Sequence, residues 1–147
     1  MSAGGTQMER PKLGRLATVA IVVGDYDEAV AWYRDRLGLD VVEDTDMGEG
    51  KRWVVVAPSS GAGARILLAK ASGEAQQSRI GNQTGGRVGF FFETDDFARD
   101  HARMIAQGVV FKEEPRHEPY GTVAVFADLY GNLFDLIEPR KAAATKE

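Results

Sequence analysis

An α+β fold of two repeated βαβββ modules is the architecture that this chain of 147 residues predicts, and three observations carry it. Short β-branched and aromatic runs of strand length recur between turn-forming stretches rich in Gly, Asp and Ser. Two segments instead place apolar residues at helical spacing, each opened by an aspartate and closed by a glycine. The spans of these two segments are equal, Asp25 to Gly38 and Asp95 to Gly108, and each follows one strand-like run and precedes three more. This self-similarity divides the chain into modules at about 14–70 and 87–139, two half-open curved sheets that would enclose a cleft side by side.

The elements follow in order. Residues 1–13 are small, polar and mixed in charge, which predicts a disordered lead-in. Leu16 to Val23 is a β-branched run closed by Gly24, and Asp25 caps a helix whose stripe is Tyr26, Ala29, Val30, Tyr33 and Leu37. LDVVED, KRWVVVAP and ARILLAKA are the next strands, separated by the turn sequences DMGEGK and PSSGAGA. The connection 71–87 is the least strand-like stretch. Its Gly85 and Gly86 supply flexibility and its Asn82 and Gln83 supply amides, so it is a lid, a dimer crossing arm or a plain linker. RVGFFFE then reads as a strand, Asp95 or Asp96 as a cap, and Phe97, His101, Met104 and Ile105 as the second helical stripe. VVFKEE, GTVAVFAD and NLFDLIEP complete the second module, and residues 140–147 form a polar tail after Pro139.

Composition narrows the functional classes. Hydrophobic residues make up 44% and charged residues 27%, ordinary values for a globular domain with a real core, so 14–139 reads as one domain. With no cysteine there is no disulfide, thiolate metal site or thiol nucleophile, and a cytoplasmic location fits best. A formal charge of −4 without a dense Lys/Arg run argues against nucleic acid or an anionic membrane as the main partner. The N-terminus has no apolar core for a signal peptide or span. No phosphate-binding glycine loop and no nucleophile elbow occurs, although Ser59 and Ser60 lie near glycine.

VAIVVGDYDEAVAWYRDRLGLDVVED near the start, with FETDDFARDHARMIAQGV and EPYGTVAVFADLYGNLFDLIEP near the end, resembles the vicinal oxygen chelate superfamily. That group includes glyoxalase I, extradiol dioxygenases, fosfomycin-resistance enzymes and bleomycin-resistance proteins. The resemblance covers about Leu13 to Pro139. It implies a curved mixed-sheet cup, commonly a homodimer, and in metal-dependent members one divalent ion held by four side chains. At those four positions stand Thr18, seven residues before Asp25, then Leu67, then Gly89, and finally Glu138. One carboxylate does not make a divalent site, so no metal and no other cofactor is expected.

Strand alternation places Phe134, Leu136 and Glu138 on one face, which by the resemblance looks into the cup. Glu138 is then either a wet or structurally bonded strand end, or a partly desolvated acid that binds a cation or acts as a general base, the one candidate catalytic residue. Ligand-binding candidates from the same reasoning are Thr18, Trp53, Leu67, Gly89, Phe91, Tyr120, Phe126, Phe134 and Glu138. An aromatic lining with few polar groups suits a flat or amphipathic organic molecule, although each aromatic is also ordinary core material for a curved sheet. His101 reads as a packed helix histidine, and His117 as a loop residue.

Two functional readings follow. The first is a metal-independent small-molecule-binding protein of the bleomycin-resistance type. The second is a glyoxalase-like lyase or isomerase, or a dioxygenase-related enzyme, that uses a divalent metal or Glu138 as base with Tyr120 to orient.

Overall fold

The computed structural model describes residues 8–141. Both modules are present. In the first, β1 (Thr18–Val23) leads into α1 (Tyr26–Ala31), and β2 (Asp40–Gly48), β3 (Lys51–Ala57) and β4 (Arg65–Lys70) complete a sheet of order β1-β4-β3-β2. β1 runs parallel to β4 and the other pairs are antiparallel. After a short helix α2 (Gly73–Gln77), the second module repeats the plan with β5 (Phe90–Glu93), α3 (Phe97–Ala106), β6 (Val110–Phe111), β8 (Gly121–Ala127) and β9 (Leu133–Pro139). Its order is β5-β9-β8-β6, with β5 parallel to β9 and an added strand β7 (Arg116–Glu118) on β8. Of the expected disordered tails, residues 1–7 and 142–147 lie outside the described residues.

Local chemistry explains the helix ends. Asp25 Oδ2 accepts the Glu28 N–H at 2.9 Å, and Asp96, not Asp95, accepts the Arg99 N–H at 3.1 Å. Past each helix Gly38 and Gly108 adopt φ of 83° and 93°, the left-handed conformation that a side chain disfavours. The end of α1 widens at Trp32–Arg36, where the Leu37 N–H reaches the Trp32 carbonyl at 3.1 Å, five residues back. Trp32 and Tyr33 are both buried there, so the stripe is broader than the sequence predicts.

One hydrophobic core lies between the helices and both sheets. Its centre is Phe134, whose ring stacks on those of Phe90, Phe92 and Phe126 at 5.1, 5.8 and 5.2 Å and meets the edge of Tyr33. The Tyr33 hydroxyl donates at 2.6 Å to Asp128 Oδ2 in the β8–β9 turn, tying the first module to the second. Asp128 is buried but well supplied, because it also accepts the N–H groups of Tyr130 and Asn132 and the Asn132 side-chain amide. Burial first, and the adjacent Asp128 charge second, push the Tyr33 phenol well above its ordinary pKa.

Four local expectations change. VVFKEE shortens to the two residues of β6, because after Lys112 the Glu113 carboxylate, instead of a backbone carbonyl, accepts the Val125 N–H. Arg116 to Glu118, expected in a loop, pair with β8 as β7. Ile105 points to solvent with 52% of its surface exposed. The connection contains α2, and it is strapped to β1: Gln83 Oε1 accepts the Val22 N–H and its Nε2 donates to the Ala20 carbonyl, both at 2.8 Å.

Candidate functional site

Each sheet has a face packed on the helices and a face left open. In the first sheet Ile21, Val54, Ile66 and Leu68 point inward, whereas the alternate positions Thr18, Ala20, Trp53 and Leu67 point to the other side. In the second, Phe92, Phe126, Phe134 and Leu136 point inward. Its open face carries Phe91, Asp135 and Val125 as cross-strand neighbours in one row. Large aromatics stand uncovered on both open faces: Phe91 is 62% exposed and Trp53 is 40% exposed.

This geometry overturns the expectation that Phe134, Leu136 and Glu138 look into a cup. Phe126 and Phe134 have no exposed surface and form the core, because the aromatic face of β8 and β9 is the one that covers the helices. Glu138 lies on that same side at the end of β9, and its Oε1 accepts the N–H of Phe97, the first residue of α3, at 2.8 Å. The acid therefore serves as a second N-terminal cap, favourably placed at the positive end of the helix. It also borders an open recess of about 1080 Å³ beside Glu93, His117 and Glu118. His117 stands on β7 with its Nδ1 3.3 Å from Thr122 Oγ1, and Tyr120 is exposed in the turn between β7 and β8. His101 packs between the rings of Phe97 and Phe111 at 5.2 and 4.4 Å, as a core-edge histidine.

Trp53 and Leu67 come together in a recess of about 550 Å³ walled by Gln76 of α2, while Phe91 lies on the other sheet. The Gly89 N–H pairs with the Leu133 carbonyl, and a Cβ at that residue would run into Thr84, so the glycine permits a close approach of the connection. A divalent metal does not fit the donor set. Thr18, Leu67 and Gly89 offer neither imidazole nor carboxylate, and among the described residues no three His, Asp or Glu side chains converge.

Asp135 is the residue that sequence reasoning missed. It lies in the middle of β9 between Phe91 and Val125, and its Oδ1 is buried with no hydrogen-bond partner among the described residues. The nearby cation, Arg116, is turned to other acids: its Nε meets both Glu113 oxygens at 3.0 and 3.1 Å and its Nη1 meets Glu118 at 2.5 Å. Burial raises the Asp135 pKa above the ordinary carboxylate value, partly offset by Arg116 and reinforced by Glu113. The signal in the sequence was an aspartate between two core positions, Phe134 and Leu136.

Residues 15–136 match the family model of the Glyoxalase/Bleomycin resistance protein/Dioxygenase superfamily. The chain belongs to this superfamily. It is 53% identical over 121 residues to an uncharacterized protein of Shewanella frigidimarina (strain NCIMB 400), covering 82% of this chain and 90% of that one. Among solved structures it is similar to UcmS2, with a TM-score of 0.76 and 32% identity, covering 86% of this chain and 99% of that one. It is also similar to TnmS3, an antibiotic binding protein from Streptomyces sp. CB03234, with a TM-score of 0.72 and 27% identity over 89% of this chain and 100% of that one. No described helix is long and apolar enough to cross a membrane.

Proposed function

We propose that this protein binds an aromatic or amphipathic small molecule on the open faces of its sheets, as a cytoplasmic homodimer and without a metal. The observation that carries the reading is the exposure of Phe91 and Trp53, two large rings held on rigid strands and turned away from the core. TnmS3 supplies a parallel, since it is an antibiotic binding protein of similar fold. Pairing with a second copy is the economical way to cover such faces, because closed two-fold association buries the same patch on both partners. Metal independence follows from the donors at Thr18, Leu67 and Gly89, and a cytoplasmic setting accords with the lack of cysteine.

The test uses acridine, a flat uncharged aromatic at neutral pH. Of the two tryptophans Trp32 is buried and Trp53 is exposed, so quenching of Trp53 emission in a Trp32→Phe background reports contact at the open face. Saturable quenching that Phe91→Ala weakens about tenfold, the loss of one good aromatic contact, is expected, and Trp53→Phe should weaken binding comparably when read from the fluorescence of acridine itself. Quenching that never saturates would sink the reading. Elemental analysis of protein purified without chelator should find no stoichiometric Zn, Ni, Fe or Mn, and light scattering should give twice the chain mass.

A further inference from the structure

We infer that Asp135 is the polar anchor of the ligand site and selects aromatic molecules that carry a protonated amine; this rests on the reading that the open faces bind aromatics. A buried carboxylate oxygen without a donor is an expensive feature, and native chains tolerate few of them. Asp135 Oδ1 is such an atom, and among the described residues no other buried side-chain polar atom stands unpaired. Nothing in the fold requires it. Asp128, seven residues earlier, shows that this hairpin can satisfy a buried acid completely. Arg116 could have answered the charge but is held by Glu113 and Glu118.

The surroundings specify the missing partner. Phe91 flanks Asp135 on β5 and Val125 flanks it on β8, so a ring lying against them would bring its substituent to the carboxylate. Of the carboxylates near this face, Arg116 pairs Glu113 and Glu118, so Asp135 and Glu93 carry the negative charge without an ion pair among the described residues, with Arg140 and Lys141 lining the recess beside Glu93. The field at Asp135 disfavours an anionic substituent and favours an ammonium, which donates hydrogen bonds and is drawn by charge together.

Paired fluorescent probes separate this inference from the reading beneath it. 9-Aminoacridine is a cation at neutral pH, protonated at its ring nitrogen with the charge shared by an exocyclic amine that donates hydrogen bonds, and acridine is its uncharged counterpart. Wild type should prefer 9-aminoacridine by about tenfold or more, the value of a charged hydrogen bond in part-buried surroundings. Asp135→Asn should cut that preference to within about twofold without lowering the melting temperature, because no native bond is broken. Glu93→Gln, which changes an exposed acid of the same face, should keep most of the preference. Equal affinities in wild type, a preference that survives Asp135→Asn, or equal losses in both variants would overturn the anchor while leaving aromatic binding intact. If neither probe binds, the aromatic reading falls and this one with it.

Discussion

The two faces of β9 share one backbone and differ in nearly every other respect. Phe134 and Leu136 are shut into a stack of rings beneath the helices, and Glu138 on the same side is bonded to the first turn of α3. Asp135, one residue from Phe134, sits beside an exposed Phe91 with a buried oxygen that nothing in the described chain satisfies. The closed face is internally complete, and the open face has apolar surface and a carboxylate without matching partners. Such incompleteness is the mark of a surface selected for something other than stability.

Substitutions across the strand should break this contrast or sharpen it. The largest effect belongs to the closed face: Phe134→Ala removes the ring at the centre of the core and should cost about 3–5 kcal/mol in denaturant unfolding. Phe91→Ala, on the adjacent strand but with the ring outward, should stay within about 0.5 kcal/mol of wild type. Similar losses at both positions would erase the distinction between the faces.

The intermodule bond comes next. Tyr33→Phe leaves a buried Asp128 oxygen without its hydroxyl donor and should cost about 1–3 kcal/mol, read as a shift in unfolding midpoint. Glu138→Ala should cost about 1 kcal/mol, the usual value of a helix cap, and Glu138→Gln less, since the amide oxygen still accepts the Phe97 N–H. A Glu138→Gln variant that changes probe affinity but not stability would return this acid to the ligand site.

Asp135→Asn has the smallest expected effect on stability and the most informative sign. The native state raises this pKa, so between the unfolded and folded values it holds more protons than the unfolded chain, and stability contributed by the group falls as pH rises through that window. Replacement by Asn removes the dependence. The variant should therefore be no less stable than wild type at neutral pH, and the difference between them should shrink or reverse at acidic pH; melting curves across the acid range read it directly.

Much of the fold could be read from periodicity, since strand runs, equal helix spans and capping residues are local signals that the tertiary structure reinforces. Asp25, Gly38 and Gly108 perform the roles their residue types predict. The face of β9 could not be read so simply. Alternation separates Phe134, Leu136 and Glu138 from Asp135, but it does not state which set the helices cover. The four phenylalanines Phe90, Phe92, Phe126 and Phe134 held the answer, because a cluster of that size on one side of neighbouring strands must be buried. Assigning Phe126 and Phe134 to a cup placed Glu138 where Asp135 stands.

Gln83 has a bearing on how this chain can vary. Its amide occupies the free edge of β1 by contacting only main-chain atoms, the Val22 N–H and the Ala20 carbonyl. The attachment is blind to the side chains of β1, so those positions are left open to drift and to acquire new ligand contacts while the strap keeps its hold. Residue 83 has no such latitude. Glutamate lacks the donor and asparagine falls a methylene short, so a single amide couples permissive outward positions on one strand to a narrow choice of residue on another segment.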